Sequence, residues 1–257
     1  MPHSISDFKV KLFADGADKA AMLELYGNSW IQGFTTNPTL MRKAGIRDYE
    51  AFAHDILGCI KDRPISFEVF ADDVDEMYQQ ALQIAGWGEN VYVKLPITNT
   101  KGKSTLGVAR DLTREGVKLN ITALLTLDQV RDTAEALGGG APSCVSVFAG
   151  RIADTGRDPV PVMKTAADLC HQHPGMELIW ASPRELLNVL QADAIGCDII
   201  TATPDVLKKL SLIGKDLDEY SRETVQMFYE DACKSGFRLS GSKAERPIPA
   251  GAAQGVA

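Results

Sequence analysis

Lys94 interrupts the apolar run VYVKLPI (91–97), and a lysine in that setting has a specific chemical use. Desolvation disfavours the ammonium form and frees the amine as a nucleophile. A free amine attacks a ketone carbon and, after loss of water, becomes an iminium that withdraws electrons from a neighbouring carbon–carbon bond. Cleavage of that bond leaves a bound enamine. Two acid–base partners are needed, one to dehydrate the carbinolamine and one to take the proton of the β-hydroxyl. Asp15 in VKLFAD (10–15) and Glu68 in ISFEVF (65–70) are carboxylates carried by similar apolar runs.

Strand side chains alternate between two faces, so parity sorts the residues of each run. Val91, Val93 and Leu95 fall on one face of VYVKLPI, with Tyr92, Lys94 and Pro96 on the other. The same rule sends Phe13 and Asp15 inward, then Thr35 and Asn37, and Ser66, Glu68 and Phe70. Later runs offer Asn120 and Thr122, Ser146 and Phe148, and Trp180 and Ser182. Burying so many polar groups is costly unless they are paired or hydrated, which points to a functional centre. Each residue alone also has a plainer reading. A strand lysine often snorkels to the surface, Asp15 could cap a helix, and Asn37 could serve a turn before Pro38.

The elements that would position these residues recur along the chain. Eight short apolar or β-branched runs start every 20–33 residues, at 10–15, 33–38, 65–70, 91–97, 117–125, 144–150, 177–182 and 197–203. Helical patterns separate them, as in DKAAMLELYGN (18–28) and in 181–198, where Ser182 precedes a Leu-rich turn and Gly196 marks the exit. Eight strand–helix units predict an α/β fold, a single (β/α)8 TIM barrel. The glycines 138–140 follow a helix and precede the sixth strand, so they read as a turn at the N-terminal face rather than a phosphate cradle. Residues 216–236 predict an extra C-terminal helix covering a barrel end or a neighbouring subunit. The expected domain is therefore 1–238, followed by a disordered Gly-, Ala- and Pro-rich tail at 239–257.

Composition narrows the partners. The chain has 257 residues, 45% hydrophobic and 24% charged, enough to bury a sizeable core. A formal net charge of −7 argues against a nucleic-acid surface, but a phosphorylated small molecule needs only a few local cations. No long apolar run suggests a membrane span, and the N-terminus lacks the pattern of an export signal, so a cytoplasmic location is expected. Five scattered cysteines without CxxC read as reduced thiols, Cys144 and Cys197 among them as small buried hydrophobes. His171 and His173 read as a helix end before Pro174 rather than metal ligands, and no metal is expected.

Six segments share order and spacing with a known family: FADG (13–16), GFTTNPTL (33–40), VYVKLPIT (91–98), GVKLNITAL (116–124), VSVFAGRIAD (145–154) and WASPR (180–184). Over residues 10 to 238 the chain resembles the transaldolase family. The resemblance implies Lys94 as the Schiff-base lysine, Asp15 as acid/base at the substrate C4 hydroxyl, and Glu68 acting through a water that Thr122 helps hold. It implies Asn37 and Asn120 around a dihydroxyacetone unit, with Thr35, Ser146 and Phe148 as further substrate contacts, and Arg151, Ser182 and Arg184 around a phosphate. Without the family, Arg151 and Arg184 read as ordinary surface ion-pair residues. Fructose-6-phosphate aldolases of the same family carry Gln and Tyr where this sequence has Glu68 and Phe148, which favours transfer over simple cleavage. Val147, Ala149 and Pro183 depart from the family's usual Pro, Val and Phe.

The expected protein is thus a cofactor-independent transaldolase acting on sugar phosphates, as in the pentose phosphate pathway, and a homo-oligomer. An aldolase-like enzyme on another ketose is the alternative, and a non-catalytic sugar-phosphate-binding barrel a remote third.

Overall fold

Eight parallel strands close into a barrel in chain order, with the last hydrogen-bonded to the first. The structure, a computed structural model, describes residues 5–236 and 238. The tail expected at 239–257 lies outside the described residues. The strands are β1 (Lys11–Asp15), β2 (Ile31–Thr35), β3 (Ile65–Glu68), β4 (Val91–Pro96), β5 (Leu119–Leu124), β6 (Ser143–Val147), β7 (Met176–Trp180) and β8 (Ile199–Ala202). The chain divides into two compact units, 1–211 and 212–257, and the barrel belongs to the first.

Helices alternate with the strands: α1 (Lys19–Tyr26), α2 (Pro38–Lys43), α3 (Tyr49–Cys59), α4 (Val74–Ala85), α5 (Leu106–Arg114) and α6 (Leu127–Leu137). They continue as α7 (Ala149–Asp154), α8 (Val160–Cys170), α9 (Leu187–Ala194) and α10 (Pro204–Leu207). Several begin with a side-chain cap. Asp18, Asn37, Asp48, Asp73 and Thr126 each accept a backbone N–H of the first turn, a contact worth about 1 kcal/mol. In the second unit, α11 (Leu217–Ser235) is capped by Asp216 and stopped by Gly236 in the left-handed region, and none of its residues is buried. Among the described residues no helix is long and apolar enough to cross a membrane.

β8 is buried along its whole length, as expected of a parallel strand with helices on one side and the barrel interior on the other. Inside the barrel Phe13, Cys144, Ile179, Ala181 and Ile199 pack together, with Tyr92 and Phe148 against them. The Phe13 ring occupies the place where a Cβ on Gly33 would sit, 2.4 Å from its nearest atom, so β2 needs glycine there. Glycines 138–140 do connect α6 to β6.

Three expectations change. β2 starts at Ile31, two residues earlier than the apolar run suggested, because exposed Gln32 interrupts the pattern that marks it. Ile179 and Ala181 join the interior cluster, which turns Trp180 to the helix-facing side instead of inward. Phe70 is 64% exposed, since β3 ends at Glu68 and alternation no longer governs the residues beyond it.

Candidate active site

The polar residues collect at the C-terminal ends of the strands, the end where α/β barrels carry their sites. A cavity of about 590 Å3 opens there. All twelve residues singled out above line it: Lys94, Asp15, Glu68 and Thr122; Asn37, Thr35, Asn120, Ser146 and Phe148; and Arg151, Ser182 and Arg184.

Lys94 is 6% exposed at its floor. Its Nζ donates to the Thr36 carbonyl at 2.9 Å and lies 3.1 Å from Glu68 Oε2. The pairing follows from strand register, which sets Glu68 opposite Lys94 and Lys94 opposite Asn120. Opposite charges on adjacent strands at one level meet without backbone distortion.

Asp15 ends β1. Burial pushes its carboxyl above the ordinary carboxylate range, while Lys94 and a hydrogen bond from Thr35 Oγ1 at 2.8 Å pull the other way and Glu68 adds to the rise. A carboxyl held ready to carry a proton suits general acid–base work. Asp15 does not cap α1; Asp18 does.

A buried amide chain lies beside the lysine. Asn120 Nδ2 donates to Ser66 Oγ at 3.0 Å, and Ser146 Oγ donates to Asn120 Oδ1 at 2.7 Å. Thr122 Oγ1, by contrast, is buried and finds no hydrogen-bond partner among the described residues. A buried hydroxyl left alone costs about 1–3 kcal/mol, which a bound water or substrate oxygen would recover. Its neighbour Ala123 takes a left-handed conformation at φ 67°, where the β5–β6 register slips. Asn37 serves the start of the helix at Pro38, in keeping with its plainer reading, and stands at the cavity as well. Its Oδ1 caps α2 by accepting from Leu40 N at 3.0 Å.

A family model described as transaldolase/fructose-6-phosphate aldolase matches residues 12–239. The chain belongs to that family. It is 34% identical to a "Probable transaldolase" of Caldicellulosiruptor saccharolyticus over 204 residues, 79% of this chain and 89% of the relative. A "Probable transaldolase" of Brucella ovis is 32% identical over 232 residues, 90% of this chain and all of the relative. Among solved structures, 3-keto-L-gulonate-6-phosphate decarboxylase of Vibrio cholerae is similar with a TM-score of 0.52 at 10% identity, over 76% of this chain and 87% of that one. A 2,3-dimethylmalate lyase matches at 0.51 and 13%, over 93% and 89%. At such identities the likeness concerns the fold alone.

The mouth of this transaldolase-family barrel is cationic on one side. The Arg151 guanidinium stacks over Phe148, 5.3 Å from the ring centroid. Arg184 binds Asp154 through two nitrogens, Nε at 3.0 Å and Nη2, so the ion-pair reading holds for it even though it lines the cavity. Arg184 holds the Asp154 carboxyl below its ordinary value. Ser182 reaches the cavity through a left-handed backbone at φ 61° rather than through strand parity. It does not open a helix, because α9 starts at Leu187. Asn188 Oδ1 accepts the amides of Arg184 and Glu185 before that first turn. Gly150 faces this loop; a Cβ there would lie 1.6 Å from the Ser182 carbonyl oxygen.

Three polar lining residues lie outside the expected set: Thr39, Thr201 and Lys43. Thr201 Oγ1 meets Thr35 Oγ1 at 2.5 Å and so joins the Asp15 network; alternation along CDIITAT would have found it. Lys43, the last residue of α2, adds a cation at the rim, and no spacing rule marks it.

Proposed function

We propose that this chain is a transaldolase that moves a dihydroxyacetone unit from a ketose phosphate, such as sedoheptulose 7-phosphate or fructose 6-phosphate, to an aldose phosphate. One observation carries the reading: a buried lysine amine 3.1 Å from a carboxylate, at the floor of a cavity with guanidinium groups at its mouth. Lys94 Nζ gives a proton to Glu68 and attacks the C2 carbonyl. The carbinolamine loses its hydroxyl as water and becomes the iminium, with Glu68 passing its proton to the departing oxygen through a water held at Thr122. Asp15 then takes the C4 hydroxyl proton as the C3–C4 bond breaks. Its electron pair moves into the iminium to form the enamine, and the aldose phosphate departs.

The enamine attacks the aldehyde carbon of the acceptor, and Asp15 returns its proton to the new alkoxide. Hydrolysis of the iminium frees Lys94. Asn37, Asn120 and Ser146 would hold the hydroxyls of the three-carbon unit, and Arg151, Ser182 and Arg184 the phosphate, for which guanidinium geometry is well suited. Phe148 has no hydroxyl to protonate the enamine, which favours waiting for an acceptor over release of dihydroxyacetone. The chemistry calls on no metal or organic cofactor.

Borohydride with fructose 6-phosphate should fix a three-carbon adduct on the peptide containing Lys94, read by mass spectrometry, and Lys94→Ala should abolish it. An unmodified Lys94 under turnover conditions would sink the reading. Free dihydroxyacetone released without an acceptor aldehyde would make the enzyme an aldolase instead.

A further inference from the structure

We infer that Tyr49 is a positioning residue for Glu68, supplying through its hydroxyl the hydrogen bond that Pro38 removes from the β2–β3 ladder. The inference rests on the proposed role of Glu68 as the proton partner of Lys94. Between β2 and β3 the amide of Phe34 donates to the Pro64 carbonyl at 2.9 Å, and that of Thr36 donates to Ser66 at 3.1 Å. A parallel ladder repeats every two residues, so its next rung joins the nitrogen of residue 38 to the Glu68 carbonyl. Asn37 is still extended, at φ −160° and ψ 161°, so the chain keeps to the strand path up to that nitrogen. Residue 38 is proline and has no N–H to give.

The missing donor comes from α3. Tyr49 Oη donates to the Glu68 carbonyl at 2.8 Å. Its ring is held by Phe67, Phe70 and Trp87, with centroids 6.3, 5.5 and 5.7 Å away. Burial pushes the phenol above its ordinary value, so it stays a donor throughout the working pH range. Asp48 caps the helix that starts at Tyr49, which fixes where the ring enters. The next rungs are also supported, Val69 N by the Lys94 carbonyl at 3.0 Å and the Phe70 and Ala71 amides by Gln80 Oε1. Proline stops the β2–β3 ladder and opens α2, but it would leave the Glu68 carbonyl, on the residue that faces Lys94, without its rung. Tyr49 closes that gap.

Tyr49→Phe keeps the ring and removes only the hydroxyl. One neutral hydrogen bond corresponds to a change of roughly fivefold. The variant should melt as a folded protein, lose roughly fivefold in kcat and in the rate of borohydride trapping at Lys94, and keep KM. A purely structural tyrosine would leave that split unmoved. Adding Pro38→Ala, which restores an N–H at the vacant rung, should recover part of the loss. Hydrogen exchange at the Val69 amide needs no turnover and should quicken by a similar factor in Tyr49→Phe. A wild-type chain that never traps a substrate would sink the catalytic reading, whereas unchanged exchange would sink the positioning role by itself. Wild-type kcat in Tyr49→Phe, or a loss that Pro38→Ala does not lessen, would also overturn it.

Discussion

The two halves of the barrel interior are built from the same strands and differ by two residues along them. Toward the N-terminal side lie Phe13, Tyr92, Cys144 and Ile199; one inward position further on come Asp15, Lys94, Ser146 and Thr201. The first layer is a packed plug and the second a polar site. On these four strands one inward residue packs and the next serves the site, whereas β3 and β5 are polar at both inward positions, with Ser66 and Glu68 on one and Asn120 and Thr122 on the other. The plug gives the polar layer a dry floor, which keeps the Lys94–Glu68 pair out of bulk water and raises Asp15. The separation predicts that substitutions in one layer change activity and those in the other change stability.

Replacing Lys94 by Ala tests this most severely. Loss of the nucleophile should cut kcat by more than about 10^3-fold, measured in a coupled assay of aldose phosphate formation. Retained turnover would end the division at once. Next comes Asp15→Asn, expected to cost about 10^2- to 10^4-fold in kcat as a lost acid–base group. Asp15 also yields a pH test. Its folded value is raised, so the folded state binds the proton more tightly than the unfolded chain. Stability from this group is present below the unfolded value and lost as pH rises through the folded one. Asp15→Asn should therefore raise Tm at neutral pH, and the gain should vanish once pH falls below the ordinary carboxylate range. A Tm difference that persists in acid would assign the gain to packing instead.

At the rim, Arg151→Ala should raise KM for phosphorylated donors about tenfold or more, with a smaller change in kcat, since a charged hydrogen bond is worth about 1.5–3 kcal/mol. Equal losses on phosphorylated and unphosphorylated donors would move the phosphate site elsewhere. The plug variant Ile179→Ala is the reverse case and should have the smallest effect on rate. Ile179 is fully buried, so truncation should cost about 2–5 kcal/mol and lower Tm by about 10 °C. Its kcat and KM, measured well below that melting point, should match wild type. A large loss of activity there would show that the two layers are coupled.

Alternation carried most of the site, and it failed where strands stop alternating. Asp15, Glu68, Lys94, Asn120 and Ser146 all lie within strands, where parity dictates direction. Ser182 and Phe70 lie beyond strand ends; one enters the cavity through a left-handed turn and the other faces solvent. Parity alone cannot choose between Ile179 and Trp180 in ELIWAS, since both are large and apolar; packing of Ile179 with Phe13, Cys144 and Ile199 is what turns Trp180 the other way. The Tyr49 bridge was likewise hidden, since 19 residues separate its hydroxyl from the Glu68 carbonyl it reaches.

The amino-acid order by itself determined the eight-unit period, the polar residues set into apolar strands and the family motifs, because these are local or repeating properties of one chain. Tertiary structure alone decided which carboxylate sits against Lys94, that Arg184 is already shared with Asp154, and that the Thr122 hydroxyl has no partner among the described residues. Those outcomes depend on register between strands and on closure of the barrel, which bring together groups that are distant along the chain.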